Sequence, residues 1–169
     1  MSISQGLLGE LDQELVGTRK VLERVPEAKL GWQPHPKSMT MGKLASHLSD
    51  VAGWGIHTMD ADALDIAPVN GPAYVAPDFK SVRDLLANFD AKNARLRTLI
   101  AAAPDSSYMV PWSLKMGGKV MFTMPRIAVM RSMIMNHAIH HRAQLTVYLR
   151  LNDVPVPGLY GPSADETNM

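Results

Sequence analysis

The chain has 169 residues, 46% of them apolar and 20% charged, a formal net charge of +1 and no cysteine. That is the balance of one globular domain with a full-sized core, with no room for a second comparable unit and no basic surplus to recruit nucleic acid. Disulfides, thiolate ligands and a cysteine nucleophile are excluded, so any transition-metal site must be built from histidine and carboxylate.

The pattern predicts a first helix from about Ser4 to Val25, with Leu7, Leu8, Leu11, Leu15, Thr18, Val21 and Leu22 at helical spacing and Pro26 ending it. The residues before it lack the basic and apolar regions of a signal peptide, and no apolar run approaches the roughly 18 residues of a membrane span. A cytoplasmic protein is the expectation. A second helix starts after Ser38 or Thr40, either a suitable cap, and carries Met41, Leu44, Leu48, Val51 and Trp54 to about Asp60. From Leu64 to Phe79 the prolines and a glycine suggest a connecting loop with no period of its own.

Ser81-Val82-Arg83-Asp84 resembles a capping box and opens a third helix carrying Leu85, Leu86, Phe89, Leu96, Leu99 and Ile100. Two short runs, Met109–Lys115 and Lys119–Phe122, flank Gly117-Gly118 and predict a small β-hairpin. The last helix is expected from Thr123, as cap, with Pro125 in its first turn, to about Leu151. Its seam reads Ile127, Met130, Ile134, His137, His141, Gln144 and Tyr148. Twelve methionines act mainly as flexible core filler. Four helices of this size predict an all-α four-helix bundle, with the hairpin before the last helix.

Three of the six histidines fall on the faces expected to line the bundle. His137 and His141 are four apart, so their side chains leave one helix face about 40° apart and about 6 Å along the axis. Two imidazoles so placed can converge on one ion, and His47, beside the buried stripe of the second helix, can add a third. Buried imidazoles also occur as hydrogen-bonded core residues, and the residues alone leave both readings open. His140 reads as a neighbour of the site or a surface residue, and His35 and His57 as solvated. Asn136 and Gln144 are placed to orient ligands. Arg142 reads as a surface charge or a helix-to-loop tether rather than a substrate-binding group, Met133 as an apolar contact within the subunit or between copies, and Trp112 and Tyr160 as pocket walls or lids on the core.

The run Asn136-His137-Ala138-Ile139-His140-His141-Arg142-Ala143-Gln144-Leu145 resembles the signature of the DinB family of metal-dependent proteins. The tail Val154-Pro155-Val156-Pro157 with Tyr160-Gly161-Pro162-Ser163 resembles that family too, and Leu44-Ala45-Ser46-His47-Leu48 matches the place of its first ligand. The resemblance spans essentially the whole chain. It implies a bundle of DinB type, a metal triad of His47, His137 and His141, and a homodimer. Related proteins include transferases and isomerases that use a small thiol such as bacillithiol, mycothiol or glutathione. An all-histidine set suits one divalent transition metal, zinc or nickel first.

With three neutral ligands and an open position, such a site suits catalysis better than structure. The leading expectation is a thiol S-transferase type of enzyme that joins a small thiol to an electrophile, because no carboxylate base sits within the His137–His141 turn. A metal-binding stress protein without turnover and a hydrolase that activates water at the ion are the alternatives. No catalytic side chain is singled out beyond the ligands.

Overall fold

The computed structural model of the protein describes residues 2–166, and the polar end read at 167–169 lies outside them. Helix α1 (Ile3–Glu23) opens on a capping box, in which the Ser2 hydroxyl accepts from the Gln5 N–H and the Gln5 side chain accepts from the Ser2 N–H. Of the two caps considered for α2 (Met41–Asp60), Thr40 serves, its hydroxyl accepting from the Lys43 N–H at 3.2 Å. Ser81 caps α3 (Val82–Ala102) through the Asp84 N–H. Each such cap satisfies one of the orphan donors of a helix start.

The hairpin forms as expected, from β2 (Pro111–Met116) and β3 (Lys119–Pro125), turning through Gly117 and Gly118 at φ +61° and +77°. Both glycines occupy the left-handed region that a two-residue hairpin turn requires. The loop read from Leu64 to Phe79 is not wholly irregular. It begins within β1 (Ala63–Asp65), which pairs with β2 in parallel and makes a three-stranded sheet ordered β1-β2-β3. The Asp65 carboxylate accepts from the N–H groups of both turn glycines, so β1 also braces the hairpin.

The last helix differs from its expectation in two ways. Thr123 does not cap it: that residue lies in β3 opposite Ser113, their hydroxyls 2.7 Å apart, and Pro125 precedes the helix. The helix then runs in three pieces, α4 (Arg126–Val129), a π-helical turn (Met130–Met135) and α5 (Asn136–Arg150). In the wide turn the Asn136 N–H reaches back five residues to the Arg131 carbonyl. The extra residue moves the core face of α5 one position along the chain, to Arg142, Leu145 and Leu149. The histidines expected in the interior therefore sit at its edge, half-buried.

The core fixes the helix directions. One cluster joins Leu7 and Leu11 of α1 to Val51 and Ile56 of α2, Leu96 and Ile100 of α3, and Met130 and Ile134 of the last helix. The other joins Val21 and Leu22 to Met41 and Leu44, Leu85 and Phe89, and Leu145 and Leu149. The start of α1 thus meets the ends of α2 and α3 and the start of the last helix, an up-down-down-up bundle. Parallel α2 and α3 need a long return between them, which residues 61–81 supply. That strap covers the outer side of α2: the Tyr74 hydroxyl donates to Asp50 at 2.7 Å and the Phe79 N–H to the Ser46 hydroxyl at 2.9 Å. Met133, partly buried, packs against the first cluster within the subunit.

Candidate metal centre

His47 leaves the middle of α2, His137 the first turn of α5, and His141 the next turn of the same face. Their rings meet between the two helices. His47 Nε2 lies 3.2 Å from His137 Nε2, which lies 2.6 Å from His141 Nε2. One ring nitrogen from each falls within 4.8 Å of the others, making a group that can hold a metal ion, and no carboxylate belongs to it among the described residues.

The outer nitrogens decide what the inner ones carry. His137 Nδ1 lies 3.2 Å from the Met133 carbonyl, and His141 Nδ1 lies 2.8 Å from Gln144 Oε1. Both oxygens only accept, so each Nδ1 bears the proton and each Nε2 bears a lone pair. Two lone pairs then face one another at 2.6 Å with no proton between them. A bound cation is what removes that repulsion, so the donor set fits a divalent ion. The widened π turn supplies the Met133 carbonyl.

Burial holds all three imidazoles below their ordinary pKa, reinforced at His47 by His137 and at His137 by His140. His141 is pushed down to about 4, chiefly by burial and then by its histidine neighbours, against the opposing Gln144 hydrogen bond. Neutral imidazoles at pH 7 are the form a metal requires. Asp50, one turn beyond His47, works in the opposite direction on that ring. Its carboxylate is buried and committed to the Lys92 ammonium and the Tyr74 hydroxyl.

Around the triad, Gln144 fills the orienting role read from the sequence, whereas Asn136 is exposed and makes no hydrogen bond to the triad among the described contacts. His140 is exposed, its ring edge-on to His141 at 5.0 Å. His35 and His57 are exposed and apart from the site. Trp112 is a buried part of the core wall, and Tyr160 is largely exposed except at its hydroxyl.

Arg142 overturns the surface-charge reading. It is 2% exposed, paired with Glu14 at 2.7 Å, and donates to the Glu14 carbonyl, Thr18 and the Tyr160 hydroxyl. It ties α5 to α1 and to the tail, and so fixes the rotation of the helix that presents His141. Gly17 was the available signal: a Cβ there would stand 3.0 Å from the Arg142 guanidinium, and glycine inside a helix often marks such an approach.

Comparison with known proteins bears on the fold and the family. The chain is similar to the uncharacterized protein YrdA of Bacillus subtilis, 27% identical over 159 residues that cover 90% of this chain and 85% of the relative. Its fold is similar to that of a DinB-like protein from Bacillus cereus, with a TM-score of 0.68 at 22% identity, covering 92% of this chain and 97% of the other. A second DinB-like protein, YjoA from Bacillus subtilis, gives a TM-score of 0.68 at 13% identity, covering 94% and 99%. The model of the DinB superfamily matches residues 10–145, a span that contains all three histidines, the whole of α2 and the first ten residues of α5, and the chain belongs to that superfamily.

Proposed function

We propose that the protein is a metal-dependent enzyme of the thiol S-transferase type, holding one divalent transition metal, zinc or nickel, on His47, His137 and His141. The observation that carries the metal is the facing pair of His137 and His141 Nε2 lone pairs, with both Nδ1 protons held outward. When bound, the ion supplies positive charge that favours a thiolate over a thiol at neutral pH.

The chain's own residues do the rest. Gln144 and the Met133 carbonyl keep the ligand rings in one tautomer and orientation. Three neutral donors leave the ion's charge undiminished, and a set of three rather than four leaves room for a small molecule. In an addition to an enone, the thiol sulfur forms the new S–C bond at the β carbon, and the thiol proton ends on the α carbon. No carboxylate base joins the triad among the described residues, which favours a thiol over water as the nucleophile. A cytoplasmic setting, where thiols are kept reduced, and a homodimer belong to the same reading.

The test is to screen bacillithiol, mycothiol and glutathione with benzylideneacetone, an aryl enone, using zinc-loaded and nickel-loaded protein. The reading expects one thiol to be consumed faster than without protein, and His137→Ala to remove the difference. If every thiol reacts at the protein-free rate with both metals, the transferase reading fails and a metal-binding protein without turnover remains.

A further inference from the structure

The triad lies in a groove between α2 and the last helix, and two contacts fix how these helices face one another. The Tyr148 hydroxyl donates to the Met39 carbonyl at 3.3 Å, just before α2 begins, and a Cβ on Gly55 would stand 3.5 Å from Ile134 Cγ2. Between these levels the His47 and His141 rings meet at 4.7 Å. The helices run antiparallel, so each step back along α2 from His47 is matched by a step forward along α5 from His141. Lys43 therefore stands level with Gln144, one turn outside the triad on the side of Tyr148. Four residues separate Lys43 from His47, which places their side chains about 40° apart on one face and about 6 Å along the axis. Helical side chains lean toward the N-terminus, so the His47 ring tilts over the turn that carries Lys43.

Lys43 and Gln144 both hold hydrogen-bond donors that the fold does not use. Lys43 is exposed and belongs to no ion pair among the described residues, whereas Lys92 and Lys80 are paired with Asp50 and Asp78. The Gln144 oxygen faces His141 Nδ1, which turns its amide N–H2 group away from the triad, with no acceptor among the described contacts. No free carboxylate faces them from either helix. From Arg126 to Asn152 the sequence holds no Asp or Glu. On α2, Asp60 is paired with Arg95 at the far end, and the buried Asp50 is held by Lys92. Three neutral imidazoles add no negative charge of their own to offset that of an ion. A negative group entering the groove on this side therefore meets unopposed donors.

We infer that Lys43 and the Gln144 N–H2 group receive a carboxylate of the thiol cosubstrate, so that the site takes an anionic thiol, such as glutathione, ahead of one without a carboxylate, such as mycothiol. The Lys43 ammonium rides on a flexible four-carbon stem and follows the carboxylate, while Gln144, tied to His141, offers it a fixed donor. Lys43 is thus a specificity residue that touches the cosubstrate and not the ion. The inference rests on the proposed thiol chemistry for the sulfur end of the molecule and on Lys43 and Gln144 for the other end.

3-Mercaptopropionate and its methyl ester carry the same thiol with and without the negative charge. Their binding is read by calorimetric titration of the zinc-loaded full chain, unmodified and as Lys43→Gln and Lys43→Glu, at low ionic strength. The expected result is that Lys43→Gln weakens the acid by about three- to fivefold, the worth of one exposed ion pair, and Lys43→Glu by about tenfold. The ester should stay within about twofold in both variants, and both should retain their zinc. Acid binding unchanged in both variants, or acid and ester weakened alike, would overturn the role of Lys43 and leave thiol binding at the triad standing. No saturable binding of either thiol by the zinc-loaded unmodified protein would overturn the thiol reading and this inference with it.

Discussion

Removing the Glu14 carboxylate should destabilise the protein markedly, although Glu14 touches no histidine. Arg142 is 2% exposed and Glu14 12%, so their 2.7 Å pair is nearly desolvated. In Glu14→Leu the guanidinium keeps only neutral acceptors, the Glu14 carbonyl, Thr18 and the Tyr160 hydroxyl. Breaking a buried pair from one side costs about 3–5 kcal/mol, and the remaining acceptors put this case near about 3. Replacing both partners with leucine removes the stranded charge and should return stability to within about 1 kcal/mol of the unmodified protein. Urea unfolding followed by circular dichroism measures all the variants, including Arg142→Leu, in one double-mutant cycle. A cost below about 1 kcal/mol for Glu14→Leu, or a double variant as unstable as the two singles summed, would refute the argument from a stranded buried charge.

Gln144→Leu should leave the bundle intact, since Gln144 is exposed, but weaken metal affinity about 10- to 100-fold by releasing His141 Nδ1, as competition with a chelator would show. Metal-free protein should lose stability as pH falls. The unfolded imidazoles bind protons near 6.5, whereas burial keeps the folded ones neutral to lower pH, His141 to about 4. The melting temperature should accordingly be level above pH 6.5 and drop between 6.5 and 4; a rise over that window would contradict the sign. Gly118→Ala should cost about 1 kcal/mol through its φ of +77° alone, because a Cβ there meets nothing within 4 Å, and thermal unfolding against a Lys119→Ala control tests it.

The helices and the hairpin were legible because their signals are local. Ser81 and Thr40 are caps by their own chemistry, Pro26 cannot continue a helix, and Gly117-Gly118 supplies the positive φ of a two-residue turn. The same reasoning placed the start of the last helix too early. Thr123 and Pro125 suit a helix start, but Thr123 pairs across the sheet with Ser113, and such pairing leaves no local mark. Strand β1 was missed for a similar reason: three residues paired in parallel with β2, some fifty positions later, have no period of their own.

One unread feature accounts for both misplacements at the site. No residue in Met130–Met135 announces a π turn, and its extra residue shifts the core face onward. The shift carries Arg142, expected outside, into the core, and carries His137 and His141, expected inside, to its half-buried edge. The histidine spacing survived because it lies wholly within α5, beyond the turn. The partnership with His47 came from the family resemblance as much as from the face it occupies on α2.

Metal content tests the central claim most directly. Protein stripped with a chelator, reloaded with zinc or nickel and dialysed should retain about one ion per chain by elemental analysis, and His137→Ala, checked for helical content, should retain none. Folded, unmodified protein that holds no ion after reloading with either metal would contradict the account.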